Sequence, residues 1–374
     1  MLLGAILVLL RPNEARAENS LEYEYEDYSE PGGRIGVTTQ TVRADQDLGT
    51  DMHVAISGVV DAIAGATPSG QPAPPGSNQV VLTEEHDYRK AWESDFSRQF
   101  PGLNVQLGFS RSLEHDYVSN GWSINTLADF NQKNTTLLLG VAGTDDNVEE
   151  FFTPGWMGKR KTDAIAGITQ LLDPQTSVAL NLTWGRSTGF LDDPYKVVQK
   201  DIQVLPGIYL PETFSDNRGD FRDKGVAVAS LNRDVPGWHG AWEASYRFYA
   251  DTFGIKANTA ELSWFQHLGG KIILEPDLRL YRQNAADFYY YNLDNTAIVP
   301  TKFPNPNGTR YSSDARLSAF DEADYSLKLT WKARDWLKLS ASFGGYTQRG
   351  TDGVTPQSAY YRATVTTAGL KISW

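Results

Sequence analysis

The chain has 374 residues, of which 40% are hydrophobic and 21% charged, and its formal net charge is −12. An acidic balance of this kind is unfavourable for binding nucleic acid, because a partner for phosphate needs clustered Lys and Arg. The absence of cysteine excludes disulfides, thiolate metal sites, a Cys nucleophile and covalent c-type haem. Mean hydropathy is −0.41, yet 12% of the residues are aromatic and ten are Trp. Past the N-terminus there is no apolar run of the roughly 18–20 residues that a spanning helix needs. Apolar residues spaced singly, at every second position, reconcile a polar average with that aromatic load.

Residues 1–17 read as a signal peptide. Met1 to Leu10 form an apolar core, and Ala15-Arg16-Ala17 supplies an A-x-A cleavage site before Glu18. No Lys or Arg precedes the core; a start site placed too late accounts for that, and a short buried helix is the alternative. No cysteine follows the cleavage point, so a lipoprotein is excluded. Residues 18–374 are the expected mature chain.

Along that chain, segments of about ten residues alternate apolar and polar positions between turn residues, the pattern of membrane-spanning strands. Sixteen are read: 20–29, 34–44, 52–64, 84–97, 103–113, 122–130, 134–144, 159–171, 176–188, 222–233, 240–252, 256–267, 271–283, 319–332, 336–349 and 359–374. The clearest are Tyr325, Leu327, Leu329 and Trp331 set against Ser326, Lys328 and Thr330, and Ala368, Leu370, Ile372 and Trp374 set against Gly369, Lys371 and Ser373. Period two places each set on its own side of a sheet. Segments 84–97, 159–171 and 222–233 alternate poorly, so fourteen or eighteen strands stay open. Pro276 inside a strand pattern predicts a bulge or a gap in the ladder.

The links sort by length. Those centred on Asp47, Pro101, Gln132, Asp173-Pro174, Pro236-Gly237, Gly269-Gly270 and Arg334-Asp335 are brief, whereas the opposite set includes the long links 65–83, 145–158, 189–221 and 284–318, with Pro31-Gly32-Gly33 and the link near Gly254 as two short exceptions. Short periplasmic turns and long outside loops are the habit of outer-membrane barrels. Trp238, Trp242, Trp264, Trp331, Trp336 and Trp374 all fall near the short-link ends, where an aromatic girdle would meet the lipid interface. Trp374, aromatic and on the apolar face, resembles the terminal signal read by the barrel-assembly machinery, which more often carries Phe. The fold expected is an all-β, transmembrane antiparallel β-barrel in a bacterial outer membrane. In hydrocarbon only a closed sheet satisfies every backbone group.

The polar strand faces put Glu243, Arg247, Asp251, Glu261, Glu275, Asp277, Arg279, Lys328 and Lys338 in the lumen. Such mixed charges either pair and stiffen the wall or form a constriction that selects solutes. The long links 189–221 and 284–318 either extend into solvent or fold inward and narrow the pore. In the second case Asp192, Asp193, Asp216 and Asp220 would line the lumen and favour cations. Asp145, Asp146, Glu149 and Glu150, and Asp216 with Asp220, either offer oxygens to calcium or are ordinary solvated charge; neither group matches an EF-hand loop. Glu85-His86-Asp87 and His115-Asp116 lie near the outer strand ends, where barrel hydrolases place their sites. Neighbours on a strand point to opposite faces, however, so these pairs are not dyads by themselves. No convincing nucleophile accompanies them.

The run from Ser57 through Gly58-Val59-Val60-Asp61-Ala62-Ile63-Ala64-Gly65-Ala66-Thr67 to Pro68 resembles the signature of a bacterial outer-membrane family known as a domain of unknown function. Glu85-His86-Asp87-Tyr88-Arg89-Lys90-Ala91-Trp92 and Gly189-Phe190-Leu191-Asp192-Asp193-Pro194-Tyr195-Lys196 are similar to it as well. The resemblance spans most of the mature chain and implies a barrel with a characteristic outer rim. It also implies a redox-linked envelope role, since members are encoded beside a flavin-transferring enzyme, a thioredoxin-like protein and a small lipoprotein. The residues themselves show no flavin or haem site, and no cofactor is expected. The expected function is a non-enzymatic, passive or partner-gated channel for small solutes. The alternative is a plugged scaffold barrel that organises a periplasmic or surface complex with a lipoprotein or other periplasmic partner. A barrel hydrolase is the third reading.

Overall fold

The computed structural model of the chain describes residues 19–149 and 155–374. The signal-peptide reading of 1–17, and Glu150, lie outside these residues.

Alternation with period two becomes a ring of strands. In chain order they are β1 (Ser20–Ser29), β2 (Gly36–Leu48), β3 (Met52–Pro68), β4 (Leu82–Phe100), β5 (Leu103–Leu113), β6 (Tyr117–Phe130), β7 (Thr135–Glu149), β8 (Trp156–Asp173) and β9 (Thr176–Gly189). Next come β10 (Val197–Leu205), β11 (Ile208–Ser215), β12 (Phe221–Val235), β13 (Gly240–Asp251), β14 (Lys256–Leu268), β15 (Ile272–Gln283), β16 (Phe320–Arg334), β17 (Leu337–Gly350) and β18 (Arg362–Ser373). All but β10 and β11 form one closed antiparallel barrel of sixteen strands, in which β1 pairs with both β2 and β18. β10 and β11 make a separate hairpin inside the link from β9 to β12.

Each of the sixteen expected strands is present, including the three of poor alternation, which are β4, β8 and β12. Several run further outward than their apolar pattern: β3 reaches Pro68, and β4 begins at Leu82. Their polar extensions are held by cross-strand bonds rather than by an apolar face. The turn expected at Asp47 sits slightly later, because β2 continues to Leu48. Pro276 leaves a gap on its β14 side: Ser263 pairs with Asp277 and Gln266 with Leu274, and the register is unchanged across the missing rungs. On the other side Pro276 keeps its partner Leu327. A missing N–H costs a rung, and the strand stays in place.

The apolar face points outward. On β16, Leu327, Leu329 and Trp331 are 48%, 43% and 45% exposed, and Ile124, Leu139, Leu182, Leu262 and Phe343 are exposed in the same way around the ring. In water each such side chain would forgo about 1.5–3 kcal/mol of burial. Hydrocarbon removes that cost, and closure leaves no unpaired edge in it. On β4 the outward cations Lys90 and Arg98 bracket Trp92 and Phe96. Their separation is about 26 Å along the strand at ~3.3 Å per residue, or about 20 Å along an axis tilted by ~40°. That approaches the ~25 Å apolar band of a membrane barrel.

Asn19, the first described residue, and Trp374 lie at the end with the short links, here the inner end; the long links are at the outer end, together with short ones at 30–35, 114–116 and 252–255. All six of the tryptophans expected in a girdle lie near the inner end. Trp238, Trp336 and Trp374 are in the turns and terminus there, and are 71%, 53% and 62% exposed. Trp242 and Trp264 face each other across β13 and β14, and Trp264 meets Trp238 edge-on with ring centroids 6.0 Å apart. Trp331 stands opposite Ile272 and Leu339.

Candidate functional site

Cross-strand register sets the polar residues of neighbouring strands side by side on the face opposite the apolar one. Glu243 stands beside Ser263, Arg247 beside Thr259, Glu261 beside Arg279, and Glu275 beside Lys328. Asp251, Asp277 and Lys338 lie on the same face. Two behaviours coexist among these nine. Arg279 is the hub of a paired network, 3.1 Å from Glu261 and 2.6 Å from Asp324, and it also bonds Glu322. Asp251 accepts from the Tyr249 hydroxyl at 2.6 Å and pairs with Arg222. Asp277 accepts from Ser263 at 2.5 Å. By contrast, Arg247 stacks on the Tyr249 ring at 5.4 Å, and among the described residues it has no carboxylate partner. Glu243, Glu275, Lys328 and Lys338 likewise make no ion pair among the described residues. The wall is stiffened at one level and left charged at others.

The outer loops fold together rather than extending into solvent. β10 and β11 turn at Pro206-Gly207, and Val198 and Phe214 on them pack with Leu293 and Tyr311 of the 284–319 link. The Leu293 amide donates to the Gln199 carbonyl at 3.0 Å, while Asn217 and Tyr311 exchange backbone bonds of 3.0 and 2.9 Å. A second cluster holds Phe253, Ile255, Ala286, Phe288 and Leu317, with lumen-facing Tyr249 against it. The same loops grip the opposite rim. Lys196, 5% exposed, donates through Nζ to Thr67 Oγ1 at 3.2 Å and to the Pro68 carbonyl at 2.5 Å. Thr67 and Pro68 end β3, six strands from β9 in the ring of sixteen, so this loop crosses the outer mouth. The Tyr195 hydroxyl donates to Asp116 between β5 and β6. Gly70 is required where the next loop seats: at φ +96°, a Cβ there would stand 2.3 Å from the Val197 carbonyl oxygen.

A buried ion network locks this lid. Arg218 bonds Asp216 at 2.6 Å and Asp314 at 2.9 Å; Arg316 bonds Asp314 at 2.5 Å and also Asp193. Asp216 and Asp314 are each 1% exposed. Burial pushes the Asp216 carboxyl up to about 6, against the pull of Arg218. Burial acts on Asp314 too, but the Arg316 and Arg218 guanidiniums outweigh it and hold that carboxyl well below the usual range. Asp193 is lowered in the same sense: burial opposes, and Arg316, Arg218 and Lys196 prevail. Burial lowers Lys196, helped by the Arg316 charge.

The four acidic residues expected to line a cation-preferring pore are therefore placed differently. Asp193 and Asp216 are consumed by guanidiniums, Asp192 accepts from the Arg218 amide at 2.6 Å, and Asp220 is exposed at the start of β12. Charge that closes a loop onto its neighbour is not free to meet a passing ion. The Asp145 group is spent similarly: Asp145 pairs with Arg160 at 2.7 Å, and Asp146 with Lys161 at 2.8 Å as well as Tyr117 and Ser119. His86 projects outward beside Tyr88 and Lys90 while Asp87 projects inward, as strand alternation requires. Among the described residues neither His86 nor His115 makes the side-chain bond to a carboxylate that a dyad would need. Arg218, Asp314 and Arg316 carry no role in the sequence reading, and Lys196 enters it only as the end of the Gly189–Lys196 run. One signal was available: Asp216 with Arg218 and Asp314 with Arg316 repeat an Asp-x-Arg spacing in the two longest links, and extended chain puts such pairs on one side.

A closed ring, greasy outside and charged inside, with one end knit over by loops, defines a transmembrane β-barrel of the outer-membrane type. Residues 5–155 and 156–366 match the family described as "Protein of unknown function (DUF3570)", and the chain belongs to it. No curated protein matches the sequence. Among solved structures, similar barrels include one described as a bacterial polysaccharide outer membrane secretin, at 8% identity and TM-score 0.47, covering 96% of this chain and 100% of that one. The outer membrane protein opdK from Pseudomonas aeruginosa is 10% identical over 96% of this chain and 99% of its own, at TM-score 0.45. A ferric enterobactin receptor, PfeA, is 11% identical at TM-score 0.44, over 96% of this chain; the match spans 60% of the receptor.

Proposed function

We propose that the chain is a non-enzymatic outer-membrane channel for small solutes, closed at its outer mouth by a latched lid. The observation that carries this reading is the contrast between wall and lid. The lumen keeps charged groups such as Arg247 and Glu243 without ion-pair partners among the described residues, which is the condition of a hydrated interior. The lid above them is held by the Arg218 and Arg316 ion pairs and by Lys196, contacts that can part and re-form without disturbing the barrel. A hydrated path under a separable lid is a gated pore. The depth at which Asp216 and Asp314 are buried favours a second reading, a permanently plugged barrel that serves as a scaffold for a partner.

Planar-bilayer recording of the refolded protein separates the two. A gated channel gives brief or small openings in the natural protein and longer ones after Arg218→Ala with Arg316→Ala. Silence from both proteins supports the scaffold and overturns the channel.

A further inference from the structure

Four lysines form one unbroken row across the inner mouth. The Lys332 amide donates to the Lys271 carbonyl at 2.8 Å, which sets these residues opposite each other at the start of β15 and the end of β16. Lys332 then faces Lys338, and Lys338 faces Lys371. Beyond Lys371 the row continues with Glu22 and Arg43. All are on the lumen side, because the neighbouring outward positions are Trp331, Leu339, Leu370 and Leu21. With strands ~4.8 Å apart, the four lysine positions span about 14 Å of backbone. The negative charge near them comes from Asp335 and Glu22 and, one rung further in beside Gly369, from Glu24. Lys332 lies 3.1 Å from Asp335, a fully exposed carboxylate, and Lys371 lies 3.6 Å from Glu22. Lys271 and Lys338 have no carboxylate partner among the described residues.

Such a row is costly to the fold. Like charges directly opposite each other destabilise a sheet, and the chain as a whole is acidic, so composition does not produce it. The rung next further into the lumen is shaped to match: Ile273, Thr330, Ser340 and Gly369 stand side by side. Thr330 and Ser340 offer hydroxyl donors. Gly369 leaves room for them, since a Cβ there would fall 2.7 Å from Ser340 Oγ.

We propose that this row is an anion seat at the inner mouth, taking a small solute that carries two or more phosphate or carboxylate groups. Ammonium groups neutralise the charge, and the hydroxyl shelf bonds the oxygens that point into the lumen. The seat names the solute class for the channel reading and depends on that reading only for passage, not for binding.

The test is calorimetric titration of the full refolded barrel with inorganic tripolyphosphate at low salt. Saturable binding is expected, weakened at least tenfold by the combined K271Q, K332Q, K338Q and K371Q substitutions and unchanged by K90Q on the outer face. The single K338Q variant, checked for heat-modifiable migration, keeps the test valid if the combined variant does not fold; it should weaken binding measurably. No saturable binding, binding by K338Q and the combined variant as tight as that of the natural protein, or equal loss in K90Q overturns the seat. Intact binding without conductance would sink the channel and leave the seat standing.

Discussion

Replacing Arg218 by alanine should open the lid while leaving the barrel closed. The guanidinium is 11% exposed and serves two carboxylates that are themselves 0% and 2% exposed, at 2.6 and 2.9 Å. Removing one partner of a buried ion pair costs about 3–5 kcal/mol, because the other partner is stranded. Asp216 has an escape. Its carboxyl already sits at about 6, so taking up a proton at neutral pH costs only about 1.4 kcal/mol per pH unit. The loss should therefore fall near the lower limit, about 3 kcal/mol, which is roughly a hundredfold in the opening equilibrium. Hydrogen exchange reads this directly. The amides of Asn217, Tyr311 and Leu293, whose bonds join the two loops, should exchange about a hundredfold faster, while amides in the middle of β16 keep their protection. Unchanged loop exchange would refute the latch, and equal loss in β16 would show that lid and barrel are not separate units.

Lys196→Met should keep the packing volume but strand the Pro68 carbonyl, costing about 1–3 kcal/mol at the β3 rim. Proteolytic nicking between 197 and 215 would reveal it as faster cleavage of an otherwise intact barrel. The lid should also respond to pH in two opposed steps. Asp314 and Asp193 are lowered in the folded protein, so their stabilisation is present above the ordinary carboxylate value and is lost as pH falls through and below it. Asp216 is raised to about 6, so its ionisation works against the closed lid above that pH, and protonation relieves the strain on the way down. Loop protection factors should thus hold or rise from pH 6 to about 4 and fall below. Asp216→Asn should remove the upper step alone.

The barrel was legible because lipid imposes the alternation. Wherever an outward position must be apolar, as at Leu327, Leu329 and Trp331, the neighbours declare themselves polar. The signal weakened where that contrast fades. On β12 the lumen face carries Val226 and Val228 while the outward face carries Gly225, Ala227 and Ala229, so neither face stands out. On β4 the outward face itself holds His86, Lys90 and Arg98. The barrel's alternation does not announce the hairpin of β10 and β11; its one sequence signal is the turn at Pro206-Gly207 between two β-rich runs. Its strands pack against loop residues rather than lipid, so their period was not read as part of the barrel. The lumen set was read from the same alternation, but which members pair was not. Arg279 finds Glu322 and Asp324 on β16 only through register. The latch was further out of reach, because Asp193, Asp216, Asp314 and Arg316 meet only once two links about a hundred residues apart have folded over the mouth.

In the closed ring, alternate side chains of each strand face lipid and water. Because the chain has no cysteine, single cysteines can be placed one at a time from Tyr325 to Trp331 and spin-labelled in the refolded, lipid-embedded barrel. Labels at 325, 327, 329 and 331 should be relaxed by lipid-soluble oxygen, and those at 326, 328 and 330 by a water-soluble nickel complex. A uniform response along β16, or the reverse alternation, would contradict the closed ring with its greasy side in the membrane.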